Sequence, residues 1–251
     1  MIRVEGVGHR IGKAQILDGI DLVLPAGKIT ALIGPNGAGK STLLSLIARL
    51  DPLQQGRVTV AGLDVSCTAT AELARKLAIL PQNAGVASRL RVRELVAFGR
   101  WPHHHGRPDP QDHALVAQAI GQLGLDALAD RFLDQLSGGQ RQRAHLAMAF
   151  AQGADWLLLD EPLAALDMAH ARALMQELAV LRDDGRSVVM VLHEVNHAAA
   201  WADHVVAMKA GRIVAEGPPD DVFTPAVLEP LYDMPLKVER YQGRPLVLHH
   251  L

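Results

Sequence analysis

A glycine-rich octapeptide, residues 34–41, limits the folds open to this chain more than any other segment. It reads Gly-Pro-Asn-Gly-Ala-Gly-Lys-Ser and fits the pattern G-x-x-x-x-G-K-[ST]. A short apolar run, Ile29–Ile33, precedes it, and residues 42–49 have the composition of a helix. Because strand, glycine loop and helix follow one another in the order that the motif requires, the sequence predicts a phosphate-binding loop (P-loop).

The loop residues have separate roles in the chemistry that this pattern predicts. The glycines let backbone N–H groups converge on an anion at the start of a helix. We expect Lys40 to bring a positive charge to the β- and γ-phosphates of a nucleotide, and the Ser41 hydroxyl to bind Mg²⁺. The predicted nucleotide-binding residues are Gly34, Pro35, Asn36, Gly37, Ala38, Gly39, Lys40, Ser41 and Thr42.

Composition argues against several classes of protein. The chain has 251 residues, of which 49% are hydrophobic and 21% charged, as in a globular protein with an ample core. A formal net charge of −2 argues against a nucleic-acid binder, and a single cysteine excludes an internal disulfide framework. The N-terminus lacks the apolar core of a signal peptide, and apolar runs fall well short of the roughly 20 residues of a membrane span. We expect a chain that is soluble by itself and reaches a membrane only through another chain.

Strands and helices alternate over most of the chain, which predicts an α/β fold with a mostly parallel sheet. We expect a single domain over residues 1–251. Its α/β core comprises residues 1–83 and 153–215, with an antiparallel β part in the N-terminal region. Residues 84–152 are predicted to form a helical insert, and the Pro-rich tail, residues 216–251, to be less regular.

Two adjacent carboxylates follow a predicted strand that reads as buried on both faces. Asp160 comes directly after four large apolar residues, at the end of a parallel strand where ligands bind in open α/β sheets. We expect Asp160 to hold Mg²⁺ directly or through water, and Glu161 to orient or deprotonate an attacking water. Taken alone, such a pair is more often a solvated helix cap, so the prediction depends on the P-loop.

A second anion-binding pattern lies at residues 136–143, Leu-Ser-Gly-Gly-Gln-Arg-Gln-Arg. Ser137 is predicted to cap a helix that runs to about residue 152, and two glycines follow it. An ordinary helix cap is the alternative, since Ser-Gly turns are common. The chain would then have two helix N-termini suited to phosphate but only one P-loop.

Together these patterns resemble the nucleotide-binding subunit of an ATP-binding-cassette (ABC) transporter, over essentially the whole chain. The match is specific because the family's motifs occur in the family's order. They are the P-loop, Gln82 of the glutamine loop, the signature at 136–140, Walker B at 157–161, the aspartate loop at 165–167 and the switch histidine His193.

The resemblance implies a P-loop NTPase (RecA-like) core that binds ATP and Mg²⁺ and hydrolyses ATP to drive transport. It implies that Lys40 and His193 stabilise the γ-phosphoryl oxygens and that Glu161 is the catalytic base. Gln82 would sense the attacking water and Mg²⁺. The implied metal ligands are Ser41, Gln82 and Asp160.

The resemblance also implies a head-to-tail dimer, in which the signature of one copy closes the nucleotide site of the other. Asp167 would lie at the dimer seam and couple the two sites. The residues implied to act on the partner's ATP are Ser137, Gly138, Gly139 and Gln140.

Three positions depart from the family's usual pattern. Ile11 falls near the position of the aromatic residue on which these proteins stack adenine, so we expect weaker or apolar packing on the base. Leu163 follows the Walker B proline where Ser or Thr is usual, and Glu194 replaces an Asp after the switch histidine. Neither of the last two changes removes a catalytic group.

A finer resemblance concerns the transported substrate. Residues 98–103, Phe-Gly-Arg-Trp-Pro-His, resemble a stretch in ATPases that serve iron-siderophore, haem and vitamin B12 importers. Helices are predicted at 92–99 and 111–123, with a polar loop at 101–110 between them. The three histidines at 103–105 tempt a metal assignment, but adjacent histidines do not converge on one ion, and a solvated loop is favoured.

The resemblance implies integral membrane permease subunits as partners and, indirectly, a periplasmic or surface binding protein. The chain would work as a peripheral protein on the cytoplasmic face of the membrane, and no nucleic acid is expected. The alternative is a soluble ABC ATPase that acts on nucleic acid or ribosomes. Its long coiled coils or second cassette are absent from the sequence. A P-loop binding module without turnover is disfavoured because Glu161 and His193 are both present.

Overall fold

The computed structural model describes residues 1–82 and 89–248, and these residues form three β-sheets with helices around them. No helix in these two stretches combines the length and apolar character needed to cross a membrane. The strands are β1 (Ile2–Ile11), β2 (Ala14–Leu24), β3 (Ile29–Ile33), β4 (Gln55–Val60), β5 (Leu63–Asp64), β6 (Leu77–Leu80), β7 (Trp156–Asp160), β8 (Ser187–Val191), β9 (His204–Lys209), β10 (Arg212–Gly217), β11 (Lys237–Tyr241) and β12 (Arg244–Leu248). The helices are α1 (Lys40–Ile47), α2 (Thr70–Lys76), α3 (Val92–Phe98), α4 (Trp101–His104), α5 (Pro110–Gln122), α6 (Gly138–Gln152), α7 (Met168–Asp183), α8 (Val195–Trp201), α9 (Pro219–Val222) and α10 (Pro225–Tyr232).

The N-terminal sheet is antiparallel, as predicted, with strand order β2-β1-β4-β5. Apolar residues alternate with polar ones along its strands, so that Ile2 and Val4 of β1 and Val58 of β4 are buried on one face. These side chains share a core with α1, including Leu43 and Leu46. The sheet therefore packs against the helix that follows the P-loop.

The central sheet has the strand order β10-β9-β3-β8-β7-β6. Its pairs are parallel except for β10, which lies antiparallel on the edge beside β9. Strands β3, β7 and β8 are buried along their whole length, as expected where structure covers both faces of a parallel sheet. This architecture confirms the P-loop NTPase fold that the sequence predicted.

Three neighbouring strands of this sheet end beside one another, and each delivers part of the site. The P-loop follows β3, Asp160 is the last residue of β7, and His193 comes two residues after the end of β8. Because β3, β8 and β7 are adjacent and parallel, their carboxyl ends meet at one edge. The fold thus brings together segments that are far apart in sequence.

The helical insert is fastened by the Gly-Arg-x-Pro-His stretch at 99–103. A Cβ at Gly99 would lie 2.2 Å from the Met148 carbonyl oxygen, so only glycine allows the end of α3 to approach α6 this closely. Arg100 and Asp112 form a buried ion pair, with Nε and Oδ1 2.9 Å apart. Arg100 also donates to the last carbonyls of α6, and His103 bonds to one of them at 2.8 Å. These residues therefore join three helices at one point.

Two expectations from the sequence were wrong. The predicted polar loop at 101–110 begins with a helix, α4, because Pro102 stands in its first turn, where proline is compatible with a helix. The tail is also regular, with α9, α10 and the hairpin β11–β12. Its prolines misled the prediction, since Pro219 and Pro225 each begin a helix.

The structure bears on the predicted boundary between core and tail, but not on the predicted start of the insert. The strand β10 extends the central sheet to Gly217, beyond the predicted end of the core at residue 215. The predicted start of the insert at residues 83–84 lies outside the described residues. The division into core, insert and tail otherwise stays a prediction.

Candidate functional site

The P-loop is shaped by glycines whose conformations other residues avoid. Gly34, Gly37 and Gly39 have φ angles of 139°, 78° and 98°. A Cβ at Gly34 would lie 2.0 Å from the Met208 carbonyl oxygen on β9, and one at Gly39 would lie 2.6 Å from a methyl carbon of Leu17. The loop therefore packs directly on backbone and core, and its residues 36–39 line a cavity at the start of α1.

Lys40 is buried and its ammonium group lies within the loop. Nζ donates to the carbonyl oxygens of Gly34 and Pro35, at 2.8 and 2.9 Å. Burial lowers the pKa of Lys40, and the negative charges of Glu161 and Asp160 oppose that shift. The positive charge of Lys40 is thus held at the loop, where the phosphate oxygens of a nucleotide would replace the Gly34 and Pro35 carbonyls as hydrogen-bond partners.

Ser41 and Asp160 form the oxygen pair expected of a Mg²⁺ site. Ser41 Oγ donates to Asp160 Oδ1 at 2.9 Å. Burial raises the pKa of the Asp160 carboxyl, although the hydrogen bond from Ser41 and the charge of Lys40 favour its ionised form. A hydroxyl and a carboxylate on rigid elements are ligands that suit Mg²⁺, so this donor set fits the ion.

Glu161 and His193 are in contact. His193 Nε2 lies 2.6 Å from Glu161 Oε1, and the histidine is half exposed while the glutamate is largely buried. Glu161 has φ of 51°, an uncommon conformation for a non-glycine residue. The backbone turn after Asp160 therefore directs the two neighbouring carboxylates to different partners, Ser41 and His193.

A cavity of about 330 Å³ adjoins these groups. Its lining includes the P-loop, Glu161, His193 and Gln82, so the structure brings the predicted glutamine-loop residue to the same cavity. Ile11 and Ile16 also line it, and Ile11 is 61% exposed. Ile16 was missed by the sequence analysis, because an apolar residue in a predicted strand gives no sign of facing a ligand. Both isoleucines offer an apolar surface rather than an aromatic ring.

The signature forms a helix cap, as the sequence predicted. The Ser137 hydroxyl accepts from the Gln140 amide at 3.3 Å, and the Gln140 side chain accepts from the Ser137 amide at 3.0 Å. A Cβ at Gly139 would lie 2.8 Å from the Ala165 carbonyl oxygen, so this helix start packs against the aspartate loop. Within residues 1–82 and 89–248, residues 137–140 do not line the P-loop cavity.

Asp167 caps the next helix, α7, a role that the sequence analysis did not consider. Its carboxylate accepts from the His170 backbone and contacts the His170 ring, both at 2.8 Å. These contacts hold the pKa of Asp167 below its usual range.

The histidines at 103–105 do not form a metal site in the structure. No group of three or more metal-ligating side chains occurs in the described part of the chain, and His103 bonds to a backbone carbonyl.

The fold and the site together define a P-loop NTPase. A family model described as "ABC transporter" matches residues 17–164. A dimeric ATP-binding cassette bound to ADP and Pi superposes with a TM-score of 0.80 at 26% identity, covering 87% of this chain and 98% of that one. A structure described as a metal-chelate type ABC transporter in an inward-facing conformation has a TM-score of 0.83 at 27% identity, covering 98% and 96%.

Curated relatives are more similar in sequence. The petrobactin import ATP-binding protein YclP of Bacillus subtilis is 42% identical, with 95% of each chain covered. The hemin import ATP-binding protein HmuV of Streptomyces coelicolor is 42% identical, covering 93% of this chain and 83% of the relative. The ferric enterobactin transport ATP-binding protein FepC of Escherichia coli is 39% identical, covering 98% and 93%.

This chain belongs to the ABC transporter family. It is an ATPase of that family, and ATP and Mg²⁺ are its cofactors. The resemblance stated from the sequence is therefore confirmed. The roles of the individual site residues stay predictions, and they are taken up in the proposal below.

Proposed function

We propose that this chain is the ATP-hydrolysing subunit of an importer for an iron-siderophore or a related metal chelate such as haem or cobalamin. The observation that carries the proposal is the similarity to import subunits over nearly the whole chain, including the insert and the tail. Those relatives are named for petrobactin, hemin and ferric enterobactin. The shared chemistry of these compounds is a chelated metal rather than one ligand class.

In the proposed mechanism the chain's own groups bind and orient the γ-phosphate and exclude water. Lys40 transfers its hydrogen bonds from the loop carbonyls to phosphate oxygens, and the loop amides add further donors. Ser41 and Asp160, with Gln82 beside them, are the residues that would hold Mg²⁺. When bound, Mg²⁺ neutralises charge on the phosphates.

Glu161 is proposed as the catalytic base and His193 as its partner. The carboxylate accepts a proton from the attacking water, because it is the group at the cavity that is not engaged with Ser41. Its 2.6 Å contact with His193 holds it in one orientation. When the γ-phosphate enters, His193 donates to its oxygens instead, which frees the carboxylate.

We propose a head-to-tail dimer for the step that closes the site. The signature residues 137–140 lie outside their own chain's P-loop cavity, among the described residues. Ser137 and Gly138 are exposed, which leaves this helix start open to another chain's phosphate. Asp167, next to the signature helix through the Gly139–Ala165 contact, is proposed to lie at the seam.

The proposed partners are integral membrane permease subunits, which would hold the chain on the cytoplasmic face of the membrane. A periplasmic or surface binding protein would act indirectly. A cavity of about 440 Å³ in the helical insert, with Phe98 and Trp101 half exposed on it, offers the permease an apolar surface.

The decisive experiment measures uptake of radiolabelled iron-siderophore and haem in cells that lack this gene. We expect uptake to be lost, and restored by the parent chain but not by Glu161→Gln. The variant Glu194→Gln, which changes a neighbouring exposed carboxylate, is the matched control and should restore uptake. Normal uptake of every chelate in the deletion strain would refute the importer function, and recovery of ribosomes or DNA with the tagged chain would favour the alternative.

A further inference from the structure

A third cavity, of about 680 Å³, opens between α7, α8 and the hairpin β11–β12. It has no lining residue in common with the P-loop cavity. Three arginines from two separate elements face it: Arg172 and Arg182 lie about three turns apart on α7, and Arg244 begins β12. We call this space the arginine cavity.

The charge of the arginine cavity is positive although the chain as a whole is not. Among the described residues Glu194 is the one carboxylate in its lining, set against three guanidinium groups, and the chain's formal net charge is −2. Arg182 is partly neutralised, with Asp183 at 2.8 Å and Asp203 at 3.4 Å. Among residues 1–82 and 89–248, neither Arg172 nor Arg244 forms a salt bridge.

The wall that carries Arg244 is fixed to its neighbouring helices. Asn196 of α8 donates to the Val247 carbonyl at 3.1 Å and accepts from the Val247 amide at 2.8 Å, so its side chain pairs with β12 as a neighbouring strand would. Arg240 of β11 pairs with Asp220 at 2.8 Å. Arg244 is therefore positioned on a hairpin that is attached to α8 and α9. Trp201, partly buried at the end of α8, supplies an apolar wall.

We propose that the arginine cavity binds an organic anion that carries two or more carboxylate or phosphate groups. Guanidinium groups form paired hydrogen bonds with both kinds of anion, and three of them at one cavity favour a ligand with several charges. The volume lies in the range of small-molecule sites and exceeds what a single inorganic phosphate needs. The site goes beyond ATP hydrolysis and does not depend on what the transporter imports.

Citrate and fructose 1,6-bisphosphate are the probes, since they separate the carboxylate source from the phosphate source. Each is titrated by calorimetry into the full chain with the P-loop saturated by Mg-ADP. Tryptophan fluorescence is followed in a Trp101→Phe background, which keeps Trp201 and the buried Trp156, and the change that is absent when Trp201 is also replaced by Phe is assigned to Trp201. We expect saturable binding of at least one probe. The double variant R172Q/R244Q should weaken it about tenfold or more, because charge-assisted hydrogen bonds are lost.

The double variant R3Q/R107Q is the matched control, since it removes two exposed arginines elsewhere and should leave binding unchanged. Equal melting temperatures of the three proteins without ligand show that the substitutions leave the fold intact. If neither probe binds saturably below about 10 mM, or if R172Q/R244Q binds as tightly as the parent, the proposal is wrong. Because binding is measured without hydrolysis, its failure leaves the proposed transport function untouched.

Discussion

His193 Nε2 lies 2.6 Å from Glu161 Oε1, although the two residues follow different strands of the central sheet. Strands β7 and β8 are adjacent and parallel, so the residues after them meet at one edge. Asp160, next to Glu161, points instead to Ser41. The two carboxylates of Walker B therefore have separate partners, and this separation underlies the first prediction.

Replacing Glu161 by Gln should abolish most hydrolysis while ATP still binds. The amide keeps the size of the side chain but cannot accept the proton of water, and loss of a general base costs about 10²- to 10⁴-fold in rate. Phosphate release measures the rate, and size-exclusion chromatography with ATP should reveal a trapped dimer. Glu194→Gln is the control, and hydrolysis near the parent rate in Glu161→Gln would exclude the assigned base.

Replacing Lys40 by Ala should remove most of the affinity for ATP. The side chain is buried with its ammonium group on the Gly34 and Pro35 carbonyls, which leaves those acceptors and the phosphates without a donor. Loss of a hydrogen bond to a charged group costs roughly 1.5–3 kcal/mol, or about 10- to 100-fold in Kd. Binding of a fluorescent ATP analogue measures it. Lys28→Ala, at an exposed position, is the comparison, and equal affinity in both variants would contradict the P-loop assignment.

Replacing Arg100 by Met should destabilise the fold by about 3 to 5 kcal/mol, because a buried carboxylate, Asp112, loses its partner. The double change R100M/D112L should cost less than Arg100→Met alone. Urea unfolding gives both free energies. Arg57→Met breaks an exposed pair with Asp64 and should change stability far less than Arg100→Met, so similar effects at both sites would refute the importance of burial.

Stability should fall as the pH drops below 6.5, the ordinary pKa of histidine. His145 is buried without a hydrogen-bond partner among the described residues, and burial lowers its pKa, with Arg141 adding to the shift. Below pH 6.5 this histidine is protonated in the unfolded chain but still neutral in the folded one. The free energy of unfolding therefore decreases until the pH reaches the pKa of His145 in the folded protein.

The variant His145→Leu tests that assignment. It should raise stability at pH 6 and make the pH dependence between 5 and 7 shallower, as followed by urea unfolding at several pH values. Some slope should remain, because burial lowers the pKa of His204 in the same direction. An unchanged slope in His145→Leu would show that the dependence arises elsewhere.

The α/β core could be predicted from sequence because each of its motifs is local, and the motif residues Lys40, Ser41, Gln82, Glu161 and His193 line one cavity. Gly34 to Ser41 specify a loop by backbone requirements alone, and Asp160 follows a run that is apolar on both faces. The contact between Glu161 and His193 was not predicted, since nothing local tells which strands are neighbours. The parallel sheet order supplied that contact.

Other features depended on tertiary contacts that leave no local pattern. Ile16 faces the nucleotide cavity from a strand that reads as core, and Asn196 attaches the tail through two hydrogen bonds to a residue 51 positions away. The prolines at 219 and 225 suggested irregular chain but begin helices. Proline disrupts the interior of a helix but is compatible with its first turn. The number of prolines in a segment therefore cannot distinguish irregular chain from a series of helix starts.

The signature at Ser137 lies outside the cavity that holds Lys40, among the described residues, and under the proposed pairing this has a genetic consequence. An allele defective at Lys40 and an allele defective at Ser137 would each be null. Expressed together, they would form mixed pairs in which both lesions fall in the same nucleotide site. The second nucleotide site would combine the intact P-loop of one copy with the intact signature of the other. Two null alleles would therefore complement one another in a single cell.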